Sequence, residues 1–317
     1  MSLPKSACCL GAILIFAFMA LVLLIALPKK EQNLSITHSF GIGFDLSPSY
    51  ATVAVSYPNG SIQKLPEFRI WRDTRQKICL PSSGNVGTLS NMIYALRARA
   101  KSYVGEPVSA ATISIPHLAA LYTEDLRDAF EYLSLFYLEI YPYFNDRSIP
   151  VSLASYAGNG LGLYEDYRDD AACTEEESHI PSLFALTVGY THSSLTTSQA
   201  RLSSAYYIKE IPALENLRLG YDARHEESYW EAVRHMLQSP VVDSHVPRNI
   251  SMVILFGDAT EMPRFREVLG GMIDDVLGDQ VQIVDQQPEF SAAKGVAELA
   301  KRAIFKHGHV QDISSEL

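Results

Sequence analysis

From residue 38 onward, short runs of alternating apolar and polar positions are separated by turn residues. Runs with a helical period lie between them. The stretch 38–57 reads HSFGIGFDLSPSYATVAVSY. Phe40, Ile42 and Phe44 alternate with Gly41 and Gly43, which predicts a strand whose glycines let another backbone approach closely. A second alternating run, 50–55, follows a turn that begins at Asp45. Asn59-Gly60 is a hairpin signal, so 62–65 is expected to be a third antiparallel strand. After a break at 81–84, Leu89, Ile93, Leu96, Ala100 and Tyr103 fall at helical spacing. A strand at 108–115 and a helix at 123–135 follow, with Thr123 as expected N-cap and Glu124 and Asp125 in the first turn. Next come a strand at 138–141 and a helix from Ile149 to about Leu163. The acidic stretch 164–177 reads as a solvated loop marking a lobe boundary. Beyond it the pattern predicts strands at 180–188 and, twice, within 194–211. A helix at 222–237, a buried-type strand at 250–256 and a helix ending at Met272 complete the series.

Residues 6–28 are apolar and uncharged, long enough to cross a bilayer core of roughly 30 Å. Ala26-Leu27-Pro28 before Lys29-Lys30 is a poor cleavage site, so an uncleaved transmembrane signal anchor is expected. The flanking charges nearly balance. Three glycosylation sequons, at Asn33, Asn59 and Asn249, favour a lumenal body in the secretory pathway, with a cytosolic body as the alternative. The net charge of −10 argues against nucleic acid as a partner. Four cysteines do not make a disulfide framework. Cys8 and Cys9 open the apolar segment, and whether Cys79 pairs with Cys173 stays open.

Several turns carry a resemblance. Gly43-Phe44-Asp45-Leu46-Ser47-Pro48-Ser49-Tyr50 resembles Gly-Ile-Asp-Leu-Gly-Thr-Thr-Tyr, the first phosphate-binding hairpin of the actin-like ATPases, most closely the DnaK-type heat-shock chaperones. The helix and strand ending at Ile115-Pro116 resemble the unit that ends in Val-Thr-Val-Pro. Residues 180–193 resemble the second hairpin, Phe-Asp-Leu-Gly-Gly-Gly-Thr. Gly257-Asp258-Ala259-Thr260-Glu261-Met262-Pro263 resembles the adenosine motif Gly-Gly-Ser-Thr-Arg-Ile-Pro, and 288–297 the last helix. The resemblance covers 38–306, and its specificity lies in the order of the five matches. It implies a trimmed two-lobed α/β fold of the actin-like (ribonuclease H-like) type. The expected plan is a tail (1–5), the anchor (6–28), a stalk (29–38), lobe I (39–163), the acidic loop (164–177), lobe II (178–288), a helix returning to lobe I (289–306) and a tail (307–317). Against that pattern, an insertion bearing the lysine used in phosphoryl transfer is cut to the bridge 82–88, a second insertion is reduced to about 214–248, and the peptide-binding domain of the chaperones has no counterpart.

The resemblance also implies which residues would touch nucleotide: Gly43, Asp45, Ser47, Ser49, Gly189, Gly257 and Thr260. Around them the chemistry is altered. Pro48 stands where the pattern has Thr and offers no N–H. Ser47 adds a Cβ where a Gly is expected. The second-hairpin Asp becomes Thr187, and Gly189-Tyr190-Thr191 replaces three glycines. Ile149 stands for a water-positioning Glu, and Glu261 for the adenine-stacking Arg. Phosphoryl transfer rests on positioning and charge stabilisation, so efficient hydrolysis is not expected. No catalytic residue, metal ligand or cofactor is assigned, weak binding of ATP and Mg²⁺ being the alternative to none. The expected function is a membrane-anchored, chaperone-like pseudo-ATPase that binds or scaffolds an unknown protein partner. The alternative is a working ATPase of the same type, rebuilt with Asp258 or Glu261 on the metal. A hydrolase using Ser193, His225 and Asp222 is a third reading, weakened by the lack of a G-x-S-x-G elbow. The nine His show no metal-ligand spacing. The aromatic run 130–144 reads first as core.

Overall fold

In the computed structural model, residues 36–68, 84–116, 122–140, 148–242, 249–278 and 280–315 are described. The fold is α/β with two mixed sheets. The first begins as an antiparallel meander of β1 (Gly41–Leu46), β2 (Ala51–Ser56) and β3 (Ile62–Phe68). Helix α1 (Gly84–Val104) leads to β4 (Ala110–Ile115), parallel to β1. Helix α2 (Thr123–Tyr132) leads to the two-residue strands β5 (Phe136–Tyr137) and β6 (Ile149–Pro150), both parallel to β4. Helix α3 (Val151–Gly158) follows, then α4 (Asp170–His179). The second sheet repeats the plan. It has a meander of β7 (Leu183–Tyr190), β8 (Leu195–Ser204) and β9 (Tyr207–Asn216), then α5 (Tyr229–Val242), β10 (Ile250–Phe256), α6 (Pro263–Met272), β11 (Gln282–Val284) and α7 (Ser291–Ser315). Spatial order is β3-β2-β1-β4-β5 in one sheet and β9-β8-β7-β10-β11 in the other. Counted within its own half, each sheet therefore has its strands in the order third, second, first, fourth, fifth. No internal repeat is visible in the sequence, because the shared plan constrains burial and turns rather than residue identity.

The outer faces are conventional apolar layers. Ile42, Phe44 and Leu46 of β1 pack with Leu89, Ile93 and Leu96 of α1 and with Leu126 and Phe130 of α2. In the second half Leu186, Val188 and Tyr190 pack with Val233 and Leu237 of α5 and Phe265 and Leu269 of α6. Pro240 leaves the Met236 carbonyl of α5 without its usual N–H partner. The Thr197 hydroxyl donates to that carbonyl at 3.2 Å.

The inner faces are joined by exchanged helices. Helix α3 follows the first half, yet Leu153, Ala154 and Ala157 pack with Ala200, Leu202 and Ile254 of the second sheet. Helix α7 follows the second half and runs over the first sheet, with Ala293 and Ala297 against Ala54. A Cβ on Gly43 would lie 2.3 Å from the Ala297 nitrogen. The close approach expected at the β1 glycines is thus made by α7. The described residues from 36 onward form one compact unit.

Several predicted boundaries are corrected. Tyr122 is the N-cap of α2, and the Thr123 hydroxyl instead accepts from the Ser148 N–H at 3.2 Å. The strand expected at 138–141 is Phe136–Tyr137. Ile149–Pro150 is a strand rather than a helix start, and α3 ends at Gly158, with Gly160 and Gly162 at φ 77° and 66° beyond it. The acidic stretch is half helical. Asp169 caps α4 by accepting from the Ala171 N–H at 2.8 Å and the Ala172 N–H at 3.2 Å, and Glu176 accepts from Glu165 and Asp166 N–H groups. Its carboxylates serve local backbone structure. Asp222 lies in a 3₁₀ turn, and α5 starts only at Tyr229.

No helix among the described residues is long and apolar enough to cross a membrane. The anchor expected at 6–28, Cys8, Cys9, Cys79 and the Asn33 sequon lie outside the described residues.

Candidate functional site

The sites named from the sequence lie where β1, β7 and β10 end. Asp45 is the next-to-last residue of β1, opposite Thr52 and beside Ser114 in register. It is 1 % exposed. The Ser114 hydroxyl donates to it at 2.7 Å, and the Ser47 hydroxyl at 3.5 Å. The Ser47 N–H closes the turn onto the Tyr50 carbonyl at 3.0 Å, so this donor is engaged within the loop. The next residue, Pro48, has none. The Ser49 hydroxyl is buried without a hydrogen-bond partner among the described residues.

Burial pushes the Asp45 carboxyl up to about 7 from its ordinary 3.8, against the opposing pull of Ser114 and Ser47. The folded state therefore keeps, up to about pH 7, a proton that the unfolded chain releases near pH 4. Stability is expected to fall as pH rises through that window, by on the order of 4 kcal/mol, and to level off above it. Asp45→Asn keeps an acceptor for Ser114 without a charge. Urea unfolding at pH 5 and pH 8 should show a large loss between the two for the wild type and a much smaller one for Asp45→Asn. Equal losses would contradict the assignment.

In the second half, β7 ends at Gly189 and Tyr190, and the loop 191–194 turns back into β8. The Thr191 side chain folds into this loop, its Oγ accepting from the Ser193 N–H at 3.1 Å and the Ser194 N–H at 2.9 Å. The Thr191 N–H donates to the Ser194 carbonyl. The remaining donor, the His192 N–H, goes to Asp258 Oδ1 at 3.0 Å. All four consecutive N–H groups of the loop thus have partners from the chain itself. The His192 ring bonds Asp222 through Nδ1 at 2.9 Å and meets the Tyr221 ring edge-on.

The loop after β10 leans on the same place. Gly257 has φ 113°, and a Cβ there would lie 2.3 Å from the Tyr190 carbonyl oxygen, so both conformation and space require glycine. Gly189 is the register partner of Phe256, which brings Gly189 and Gly257 together. The Ala259 N–H donates to the Tyr190 carbonyl at 3.1 Å, and the Thr260 hydroxyl to the Gly257 carbonyl at 3.0 Å. Glu261 is an ion-pair partner of Arg266, which also holds Asp285.

Tyr50 links the halves. Its side chain is 1 % exposed. Burial first, then the fields of Asp45, Asp258 and Glu289, push its hydroxyl well above the ordinary range. One buried phenol therefore senses carboxylates from the ends of β1 and β10 and from the approach to α7.

Thr187, where the resembled pattern has Asp, shares a hydrogen bond with the Ser198 hydroxyl at 2.7 Å. Ser198 in turn donates to Glu210 at 3.0 Å, and Ser152 of α3 donates to the same oxygen at 2.5 Å. A carboxylate from β9 thus lies two hydroxyl groups from the position of the absent one. The arrangement imagined for Ser193, His225 and Asp222 is not assembled, since Asp222 engages His192 and the Ser193 hydroxyl lies 3.4 Å from that of Thr191. Among the described residues no group of three His, Cys, Asp or Glu is placed to hold a metal ion. Asn59 and Asn249 are exposed, and Asn59 Oδ1 accepts from the Ser61 N–H and hydroxyl.

Ser114, Thr191, His192, Asp222 and Glu210 were not singled out for these roles by the sequence. Ser114 could have been found, since it ends the strand parallel to β1. The others meet only through the fold. No protein-family model matches this chain, and no curated protein is similar to it.

Proposed function

We propose that the chain is a two-lobed, actin-like pseudo-ATPase of the heat-shock chaperone type, serving as a binding or scaffolding module without efficient ATP hydrolysis. The observation that carries this reading is the second loop, where Thr191 and Asp258 already accept the N–H groups of Ser193, Ser194 and His192. Phosphates in such cradles are gripped by backbone N–H groups, and occupied donors cannot grip them. The matching strand order of the two halves and the crossing of α3 and α7 favour the actin-like description. The apolar segment 6–28 and the sequons favour, in this reading, a membrane-anchored molecule with a lumenal body.

Phosphate release from Mg-ATP by the full-length protein is the test, and release at the buffer rate is expected. The second reading, a rebuilt ATPase, is favoured by Glu210, whose hydrogen bonds with Ser198 and Ser152 return a carboxylate to the Thr187 side. It requires turnover above buffer that Glu210→Gln abolishes. Turnover of that kind would overturn the first reading.

A further inference from the structure

We propose that Asp258 is a built-in anion: its carboxylate takes the place of an oxyanion on the loop 191–194 and keeps that loop and the loop 257–262 closed on one another. This rests on the reading of the cleft as a former nucleotide cradle. The contact is reciprocal. Asp258 accepts from the His192 N–H at 3.0 Å, and one residue further on the Ala259 N–H donates to the Tyr190 carbonyl at 3.1 Å. Two hydrogen bonds running in opposite directions therefore cross-tie the ends of neighbouring parallel strands. The backbone aims the carboxylate. Gly257 at φ 113° turns the chain back over Tyr190, and its N–H is held by the Pro288 carbonyl at 3.1 Å.

An ionised carboxylate on a backbone N–H makes a bond about twice as strong as a neutral one. Because it belongs to the chain, it needs no ligand concentration to stay bound. Charge completes the device, since an incoming phosphate would meet the Asp258 carboxylate itself. In the resembled motif this position is Gly, which has no side chain to occupy the loop. Substituting Asp there removes both the vacancy and the electrostatic welcome. The ligand class excluded is a tetrahedral oxyanion, either free phosphate or the phosphates of a nucleotide.

The test compares full-length wild type with Asp258→Gly and Asp258→Asn, using inorganic phosphate and Mg-ATP as probes in calorimetric titrations. Wild type is expected to show no saturable phosphate binding. Asp258→Gly should bind phosphate at least tenfold more tightly. Asp258→Asn, which still offers an oxygen to His192 but carries no charge, should bind phosphate more tightly than wild type and less tightly than Asp258→Gly, and binding as weak as that of wild type would overturn the role given to the charge. Phosphate binding by Asp258→Gly no tighter than wild type would overturn the latch while leaving the pseudo-ATPase reading intact. Tight Mg-ATP binding by wild type would overturn that reading itself. Should Asp258→Gly fail to fold, hydrogen exchange at the His192 amide of wild type decides. Protection of at least tenfold over an open loop is expected, and exchange at the open-loop rate would refute the contact.

Discussion

Gly295→Ala is expected to destabilise the protein by roughly 3 kcal/mol or more, or to prevent accumulation of folded protein. A Cβ at Gly295 would lie 1.8 Å from the Ala154 carbonyl oxygen, and one at Gly158 would lie 1.7 Å from that of Ser291. These atoms belong to backbone, so no side chain can swing aside. Helices α3 and α7 cross here with their backbones in contact, and each is packed on the sheet of the other half. Separating them would open gaps over both sheets, where lost contacts cannot be recovered locally. Gly270 is the control. It lies within α6 and a Cβ there would meet nothing within 4 Å, so Gly270→Ala should be neutral or stabilising by about 1 kcal/mol. Urea unfolding followed by circular dichroism separates the two. A near-neutral Gly295→Ala would show that the crossing is looser than described.

Glu298→Ala is expected to cost about 3–5 kcal/mol, because it strands two buried cations. Glu298 Oε2 accepts from the Ser56 hydroxyl at 2.6 Å and from Lys301 Nζ at 2.7 Å, and Oε1 accepts from Arg302 Nε at 2.9 Å. All three charged side chains are less than a tenth exposed. Arg302 also donates to the Tyr164 carbonyl at 2.7 Å and lies 4.5 Å over the Tyr167 ring. The cluster thus ties α7 to β2 on one side and to the segment before α4 on the other. Burial acts to raise the Glu298 carboxyl, but Lys301, Ser56 and Arg302 outweigh it and hold it below the ordinary range. Its contribution is therefore present above the unfolded value and lost as pH falls through the folded one. This opposes the trend at Asp45. The exposed pair Lys306–Asp170 gives the contrast, with Lys306→Ala expected to cost under about 1 kcal/mol. Equal effects at Glu298 and Lys306 would contradict the buried cluster.

The strand plan was legible where one physical requirement dictated the residues. Alternation of Gly41 and Gly43 with Ile42 and Phe44 encodes an apolar face on one side and a close helix on the other. Asn59-Gly60 encodes a hairpin, and the apolar run 252–256 of β10 encodes burial on both faces. Boundaries failed where a distant group changed the local outcome. Thr123 lost its capping role to the Ser148 N–H, and Ile149–Pro150 was drawn into the first sheet by β4. The acidic stretch misled because its charge suggested solvent, while Asp169 and Glu176 were spent on backbone N–H groups. At the site, the altered residues were visible one by one, including Pro48 and Thr187. What no local pattern contained is that Asp258 would meet His192 across 66 positions, or that Glu210 would reach Ser152 across 58. Those contacts exist only because the fold sets β10 beside β7 and β9 beside β8 and lays α3 against the second sheet.

Hydrogen exchange of segments 45–50 and 191–194, with and without saturating Mg-ATP, tests the central claim most directly. The Ser47 N–H and the N–H groups of 191–194 are expected to be equally protected in both conditions, because the protein's own oxygens already hold them. A saturable slowing of exchange in both segments on adding Mg-ATP would contradict the account, since it would place phosphates on N–H groups described here as taken.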